Sequence, residues 1–348
     1  MNATHHLYVD QVRRSVLNWL ESIRCKDGPW GRWPYHAAME RPFALISSAW
    51  AIKLLDALGE LPRVPASRRE EAAAWLQSTQ DPGDGHFKDP LVTEADREGS
   101  HSWEDIYGQM GVAAEALEHL DAAPLHPLPK MFAADPMVLG GAAYTRSFDW
   151  SRPWHRGEAW ARGLIACVER IPTDKLNPLP REVTEALATL EAEVLDPATG
   201  TPSMQMPRPV NASVAMAGLF KVMVGYLRIG VSIPNPERGI GSTLALQHAD
   251  GEFGFRNNMC INWDALWVLR ELNRQLDGGY RSADIQDAGN RCADMLLTKY
   301  RRTDGAFSFK GAVCTANHHS IRLCRTPEPV GDMMGTIMVM RCLAYADE

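Results

Sequence analysis

The sequence predicts an all-α fold, a single (α/α)6 toroid in which six helical hairpins form a double ring over residues 1–348. Two observations carry that prediction. A turn of the form Asp-Gly followed by an aromatic recurs along the chain, and helices of two kinds alternate on either side of it.

The turn appears as Asp27-Gly28-Pro29-Trp30, Asp84-Gly85-His86-Phe87, Asp250-Gly251-Glu252-Phe253 and Asp304-Gly305-Ala306-Phe307. Asp196-Pro197-Ala198-Thr199-Gly200 is a degenerate copy. The spacing of about 50–60 residues fits one helical hairpin with its loops, the signature of a repeat array. Asp favours such turns because its side chain bonds nearby amides, and Gly takes positive φ at no steric cost. The aromatic then folds back to plug the seam between hairpins.

Before each turn the helices are amphipathic: Val9–Arg24, Ser67–Thr79, Arg181–Leu195, Pro236–Gln247 and Ser282–Tyr300. After each turn they are apolar nearly all round: Pro42–Leu58, Trp103–Leu120, Trp154–Ile171, Asn211–Ile229, Asn262–Leu276 and Asp332–Ala346. A helix apolar on every side is buried on every side. The second set therefore forms the inner barrel and the first set the outer ring. The third outer helix, Pro127–Gly141, is short and irregular, and Ala142–Pro153 reads as a long loop placed as a lid over the barrel mouth.

Composition narrows the partners. Apolar residues make up 45% and charged residues 23%, which provides for a large core. The net charge is -7 and the basic residues are dispersed, so nucleic acid is not the expected partner. No apolar run reaches the ~18 residues needed to span a bilayer. Met1 to Asp10 lacks a basic start followed by an apolar stretch, so no signal peptide is expected. Seven scattered cysteines without a CxxC fit a reduced, cytoplasmic protein.

Two resemblances follow. Ala74-Trp75-Leu76-Gln77-Ser78-Thr79-Gln80-Asp81 with its turn, and Leu244-Ala245-Leu246-Gln247-His248-Ala249-Asp250-Gly251-Glu252-Phe253, resemble repeats of the terpenoid cyclase and protein prenyltransferase toroids. The resemblance implies the fold. The chain has neither the DxDD run nor the aspartate-rich DDxxD run of those enzymes, and Glu252 stands where the prenyltransferase zinc site has Cys. The second is more local. Glu104-Asp105-Ile106-Tyr107 is similar to the Asp-Asp-aromatic entry of six-hairpin unsaturated glucuronyl and rhamnogalacturonyl hydrolases. Trp154-His155-Arg156-Gly157-Glu158-Ala159-Trp160 is similar to their W-x-R-G-x-x-W run. That resemblance implies an acidic role for Asp105.

The inner helices all begin at one mouth, where unpaired amides and the helix dipole favour polar groups and ligands. Polar residues gather there: His36 ahead of the first inner helix; Trp103, Glu104, Asp105 and Tyr107 on the second; His155, Arg156, Glu158 and Trp160 on the third; Asn211, Asn262, Trp263, Asp264 and Asp332 on the last three. Asn211, Asn262 and Asp332 are also good N-caps. Eleven Trp, with Trp30, Trp33, Trp150, Trp154 and Trp267 near this end, suggest an aromatic wall. Cys314, His318, His319 and Cys324 share the last loop and Cys260 opens the fifth inner helix, but without a second spaced pair no metal or other cofactor is expected.

The first reading is an enzyme of the cyclase, isomerase or lyase type acting on a small, largely apolar, isoprenoid-like organic substrate. Asp105 exchanges the proton, with His155, Asp264 or Glu104 as partner. Arg156, Glu158, Asn211, Asn262, His36 and Asp332 orient polar groups, and Trp103, Tyr107, Trp160 and Trp263 line the pocket. The alternatives are a glycoside hydrolase or polysaccharide lyase acting on uronic-acid sugars, and a non-catalytic toroid that binds a ligand or a protein. A sugar site is distinguished by an open cleft with Arg156 and His155 exposed to bind a carboxylate, an isoprenoid site by a closed apolar cavity with few polar atoms deep inside.

Overall fold

A computed structural model describes residues 3–89, 103–128, 135–171, 178–318 and 321–347. The side chains of residues 3–9, 103–110, 318, 321 and 347 lie outside that description. Thirteen helices follow one another in chain order among the described residues. They are α1 (Ala3–Ile23), α2 (Leu45–Ala57), α3 (Ala66–Ser78), α4 (Trp103–His119), α5 (Pro136–Leu139), α6 (Gly141–Arg146) and α7 (Pro153–Glu169). Then come α8 (Arg181–Glu193), α9 (Ala212–Arg228), α10 (Pro236–Leu244), α11 (Met259–Gln275), α12 (Ser282–Met295) and α13 (Met333–Asp347). A π-helical turn, Leu296–Tyr300, extends α12. A short 3-10 helix, Leu61–Arg63, and a two-residue ladder, β1 (Asn317–His318) against β2 (Ile321–Arg322), are further regular elements among the described residues.

The inner barrel is α2, α4, α7, α9, α11 and α13. Around it α2 packs on α4, α7 on α9, α9 on α11 and α11 on α13, and α13 returns to α2 to close the ring. Residues Leu45 to Leu55 of α2 are all buried, as a helix surrounded on all sides must be. Approach between α7 and α9 is close enough that a Cβ on Gly218 would fall 2.7 Å from Pro153 Cβ.

The repeated turn has one construction. Gly28, Gly85, Gly200, Gly251 and Gly305 all have positive φ, the degenerate copy included. At Gly251 a Cβ would also sit 2.3 Å from the carbonyl oxygen of Arg291, so only glycine fits. The Asp side chain caps the turn: Asp84 accepts the His86 amide at 2.9 Å, Asp196 that of Ala198 at 2.9 Å, Asp250 that of Glu252 at 3.2 Å and Asp304 that of Ala306 at 3.2 Å. Bridges Gln80–Phe87, Asp196–Thr201, Gln247–Phe253 and Arg301–Phe307 close the loops. Phe87, Phe253 and Phe307 are fully buried.

In three hairpins adjacent round the ring an aromatic residue's own amide is held by the fourth residue of the inner helix. Trp33 N–H donates to Ser48 of α2 at 2.9 Å, Phe253 N–H to Asn262 of α11 at 2.9 Å, and Phe307 N–H to Thr336 of α13 at 3.1 Å. The turn and the inner helix are thus one unit.

The third hairpin departs from the pattern, and Ala142–Pro153 is not a lid. Much of it is the helix α6 and its following turn, packed into the seam between rings. Tyr144, Thr145 and Trp150 are buried. The Tyr144 hydroxyl donates to Trp160 O at 2.5 Å, Thr145 donates to Ala186 O at 3.0 Å and the Trp150 indole donates to Thr145 O at 2.8 Å. Tyr144, Thr145 and Trp150 would have to leave the core for this segment to open.

Candidate active site

The barrel interior carries charge contributed by all six inner helices. Lys53 comes from α2, Glu115 from α4, Glu158 and Arg162 from α7, Lys221 from α9, Asp264 from α11 and Arg341 from α13. Glu158 is the hub. Its Oε1 accepts from Arg162 at 2.7 Å and its Oε2 from Lys221 at 2.6 Å. Burial pushes the Glu158 carboxyl up, but Lys221 and Arg162 outweigh burial and hold it down at about 2. Burial works against the Lys221 charge too, and Glu158 and Asp264 together keep it above the usual lysine value. Lys53 pairs with Glu115; burial, with Arg341 and Arg162 nearby, lowers its pKa.

Asp264 behaves in the opposite way to Glu158. It is 2% exposed, and its Oδ2 has no hydrogen-bond partner among the described residues. Burial raises its carboxyl to about 8, against the pull of Lys221 and with the help of the Glu158 charge. At neutral pH the interior therefore holds one protonated and one ionised carboxyl group within electrostatic reach of each other. Environments that push two carboxyl pKa values apart are how proteins assign an acid and an anionic partner.

Aromatic rings flank this network. Trp263, beside Asp264, is partly exposed and its indole N–H is buried without a partner. Phe220 packs on Trp263 at 5.3 Å and on Trp267 at 4.9 Å, and Arg341 lies 5.5 Å over the Trp263 ring. Trp154 stacks on His155 at the start of α7, 5.9 Å between centroids.

The residues expected at the mouth separate into groups. Asp264, Glu158 and Trp263 belong to the interior network just described. His155 is exposed and Arg156 half-buried at the first turn of α7. Trp103, Glu104, Asp105 and Tyr107 occupy the first turn of α4, at the same end of the barrel, and their side chains lie outside the described residues. His36 is fully buried with Nε2 3.0 Å from Thr315 O.

Four residues expected to bind ligand make contacts within the fold. Asn211 caps α9, accepting from Val214 N–H at 3.2 Å. Asn262 does not cap α11, because the helix starts one turn earlier on Asn258. Asn262 is fully buried, accepting from Phe253 and donating to Asn258 O at 3.1 Å. Asp332 is fully buried and accepts three amides: Phe309 at 2.9 Å, Thr315 at 3.1 Å and Gly335 at 2.7 Å. Trp160 is fully buried, with its N–H 3.1 Å from Thr145 Oγ1 and its ring against Trp150 and Tyr226, so it faces the outer ring rather than a ligand.

Lys53, Glu115, Arg162, Lys221 and Arg341 were not among the expected residues, because they lie within the helices rather than at their starts. The signal was present. A lone Lys in Leu45–Ala57 and another in the middle of Ala212–Arg228 interrupt helices that are otherwise almost wholly apolar.

No family model matches the sequence, and no curated protein matches it. Among solved structures, the chain is similar to the GH76A α-1,6-mannanase from Salegentibacter sp. HEL1_6, at 9% identity and TM-score 0.49, covering 97% of this chain and 99% of that one. A protein from Actinoplanes is similar at 15% identity and TM-score 0.49, covering 98% and 100%. A polysaccharide lyase is similar at 12% identity and TM-score 0.45, covering 99% and 98%.

Proposed function

We propose that the chain is a carbohydrate-active enzyme of the six-hairpin type, cleaving glycosidic bonds in uronic-acid sugars within the inner barrel. The observation that carries the reading is the buried Asp264 carboxyl, its Oδ2 without a hydrogen-bond partner among the described residues, beside the Arg162–Glu158–Lys221 ion-pair network. Among the described interior residues four cations face two ionised carboxylates, so the interior is net positive and suited to a carboxylate-bearing sugar. An isoprenoid substrate calls for the reverse, an apolar cavity without buried charge, and that reading is set aside.

In the proposed mechanism Asp264 is the acid. Its unpartnered Oδ2 gives a proton to the glycosidic oxygen as the bond breaks. Lys221 and Arg162, held in place by Glu158, neutralise the uronate carboxylate. Trp263 and Trp267 stack against the sugar ring. Asp105, in the first turn of α4, is proposed as the second carboxylate, taking a proton from the water whose oxygen bonds to the anomeric carbon as the glycosidic bond breaks. Glu158 is too tightly paired to serve as a base and acts by positioning the cations.

The test is a ligand panel read by thermal shift and by product formation. Oligouronides raise the melting temperature and are cleaved, while neutral oligosaccharides and isoprenoid alcohols do neither. A shift with isoprenoids alone would overturn the reading.

A further inference from the structure

His36, Cys314 and Cys324 converge outside the charged network. One ligating atom from each, the imidazole nitrogen and two sulfurs, lies within 4.8 Å of the others. All three side chains are buried, at 0%, 1% and 3% exposure. They come from two loops far apart in sequence: His36 precedes α2, and the cysteines straddle the β1–β2 hairpin.

The imidazole is oriented as a ligand. Nε2 sits 3.0 Å from the carbonyl oxygen of Thr315, so Nε2 carries the proton. Nδ1 is left with its lone pair, buried and without a hydrogen-bond partner. A metal-bound His typically donates its other N–H to a carbonyl in this way. The Cys314 sulfur accepts the Glu328 amide at 3.3 Å, a contact that favours a thiolate. The hairpin is held for the purpose: Cys314 N–H donates to Glu328 O at 2.8 Å, and Leu323 and Cys324 both donate to Ala316 O, at 2.8 and 3.3 Å. The backbone of Glu40, on the His36 side, donates to Leu323 O at 3.0 Å.

We propose that His36 Nδ1, Cys314 Sγ and Cys324 Sγ bind a zinc-class divalent cation that pins the 313–328 loop to the 34–41 loop at the barrel mouth. Tetrahedral zinc with Zn–S bonds of ~2.3 Å places two sulfurs ~3.8 Å apart, within the observed spread. Two thiolates and a neutral imidazole balance the charge of the ion, which suits a buried site. Soft sulfur donors select zinc over magnesium or calcium. Three protein donors leave a fourth position for water. The two cysteines spaced by nine intervening residues and a His far upstream make no recognisable sequence motif, so only the fold brings them together.

The full chain, purified with a reductant and stripped by chelator, is titrated with Zn²⁺ and separately with Co²⁺. The result expected is about one ion per chain, with intense thiolate-to-cobalt charge transfer and the visible bands of tetrahedral Co²⁺. Cys324→Ser and His36→Ala lose the ion, and Cys25→Ser keeps it. Because the buried variants lower stability by their own packing loss, the cobalt spectrum of the unmutated chain decides the donor set independently. Failure to bind Zn²⁺, a cobalt spectrum without thiolate bands, or alkylation showing Cys314 joined to Cys324 in a disulfide would each overturn the proposal.

Discussion

Lys221, from the middle of α9, donates to Glu158 of α7 at 2.6 Å, and the same ammonium is the principal cation acting on Asp264 of α11. The lysine lowers the pKa of both carboxyl groups, enough with Arg162 to keep Glu158 ionised and too little to overcome the burial of Asp264.

Replacing it isolates that relationship. Lys221→Met leaves Glu158 with Arg162 alone and removes the main cation that lowers the Asp264 pKa. The basic limb of the pH–activity profile therefore moves upward. Because the pair is partly exposed, the stability loss falls between surface and fully buried cases, about 1–3 kcal/mol by urea unfolding. An unmoved basic limb would show that Lys221 does not act on the titrating group.

Asp264 makes a linkage prediction with a definite sign. Its folded pKa, about 8, lies above the ordinary carboxyl value, so the folded state holds a proton that the unfolded state releases. That contribution is fully present below about pH 4 and is lost as pH rises towards 8. Asp264→Asn removes the loss. Relative to the unmutated chain, the variant gains stability steadily from pH 4 to 8, by at most about 5 kcal/mol at 1.36 kcal/mol per unit. Parallel unfolding curves across that range would contradict a buried, protonated Asp264.

The turn clamps separate structure from function. Asn262→Ala leaves the buried Phe253 amide unpaired, at a cost of about 1–3 kcal/mol. Thr336→Val does the same for Phe307. Both lower the melting temperature, and both leave kcat/KM per folded molecule unchanged. A selective rise in KM for Asn262→Ala would return that residue to the binding site.

The tryptophans divide similarly. Trp160→Phe loses the bond to Thr145 and part of the packing on Trp150, costing about 1–2 kcal/mol without an effect on KM. Trp263→Ala raises KM for oligouronides several-fold. Equal effects on KM from both variants would contradict the placement of Trp160 against the outer ring.

Much of the ring was legible because its determinants are local. Asp-Gly turns depend on neighbouring residues, and helices apolar on all sides announce their burial, so the hairpins and the inner and outer sets follow from the chain alone. The site was less legible. Helix starts drew attention to Asn211, Asn262 and Asp332, whose short polar side chains equally suit capping and turn clamping, and the structure uses them for those. Asn258, not Asn262, begins α11, a shift of one turn that carries Asn262 from the helix end into the seam. The charges that matter, Lys53, Arg162, Lys221 and Arg341, sit mid-helix, and their convergence depends on how six helices rotate about a common axis. No local pattern encodes that rotation. The His36, Cys314 and Cys324 cluster is the extreme case, since ring closure places the first hairpin beside the last.

The account turns on Asp264 as the proton donor to a uronide. The direct measurement is kcat/KM against pH on an oligouronide, for the unmutated chain and for Asp264→Asn. General-acid catalysis predicts a basic limb near pH 8 in the unmutated chain, and in the variant a loss of about 10²–10⁴-fold with that limb abolished. Activity in Asp264→Asn equal to that of the unmutated chain, with the limb still in place, would contradict it.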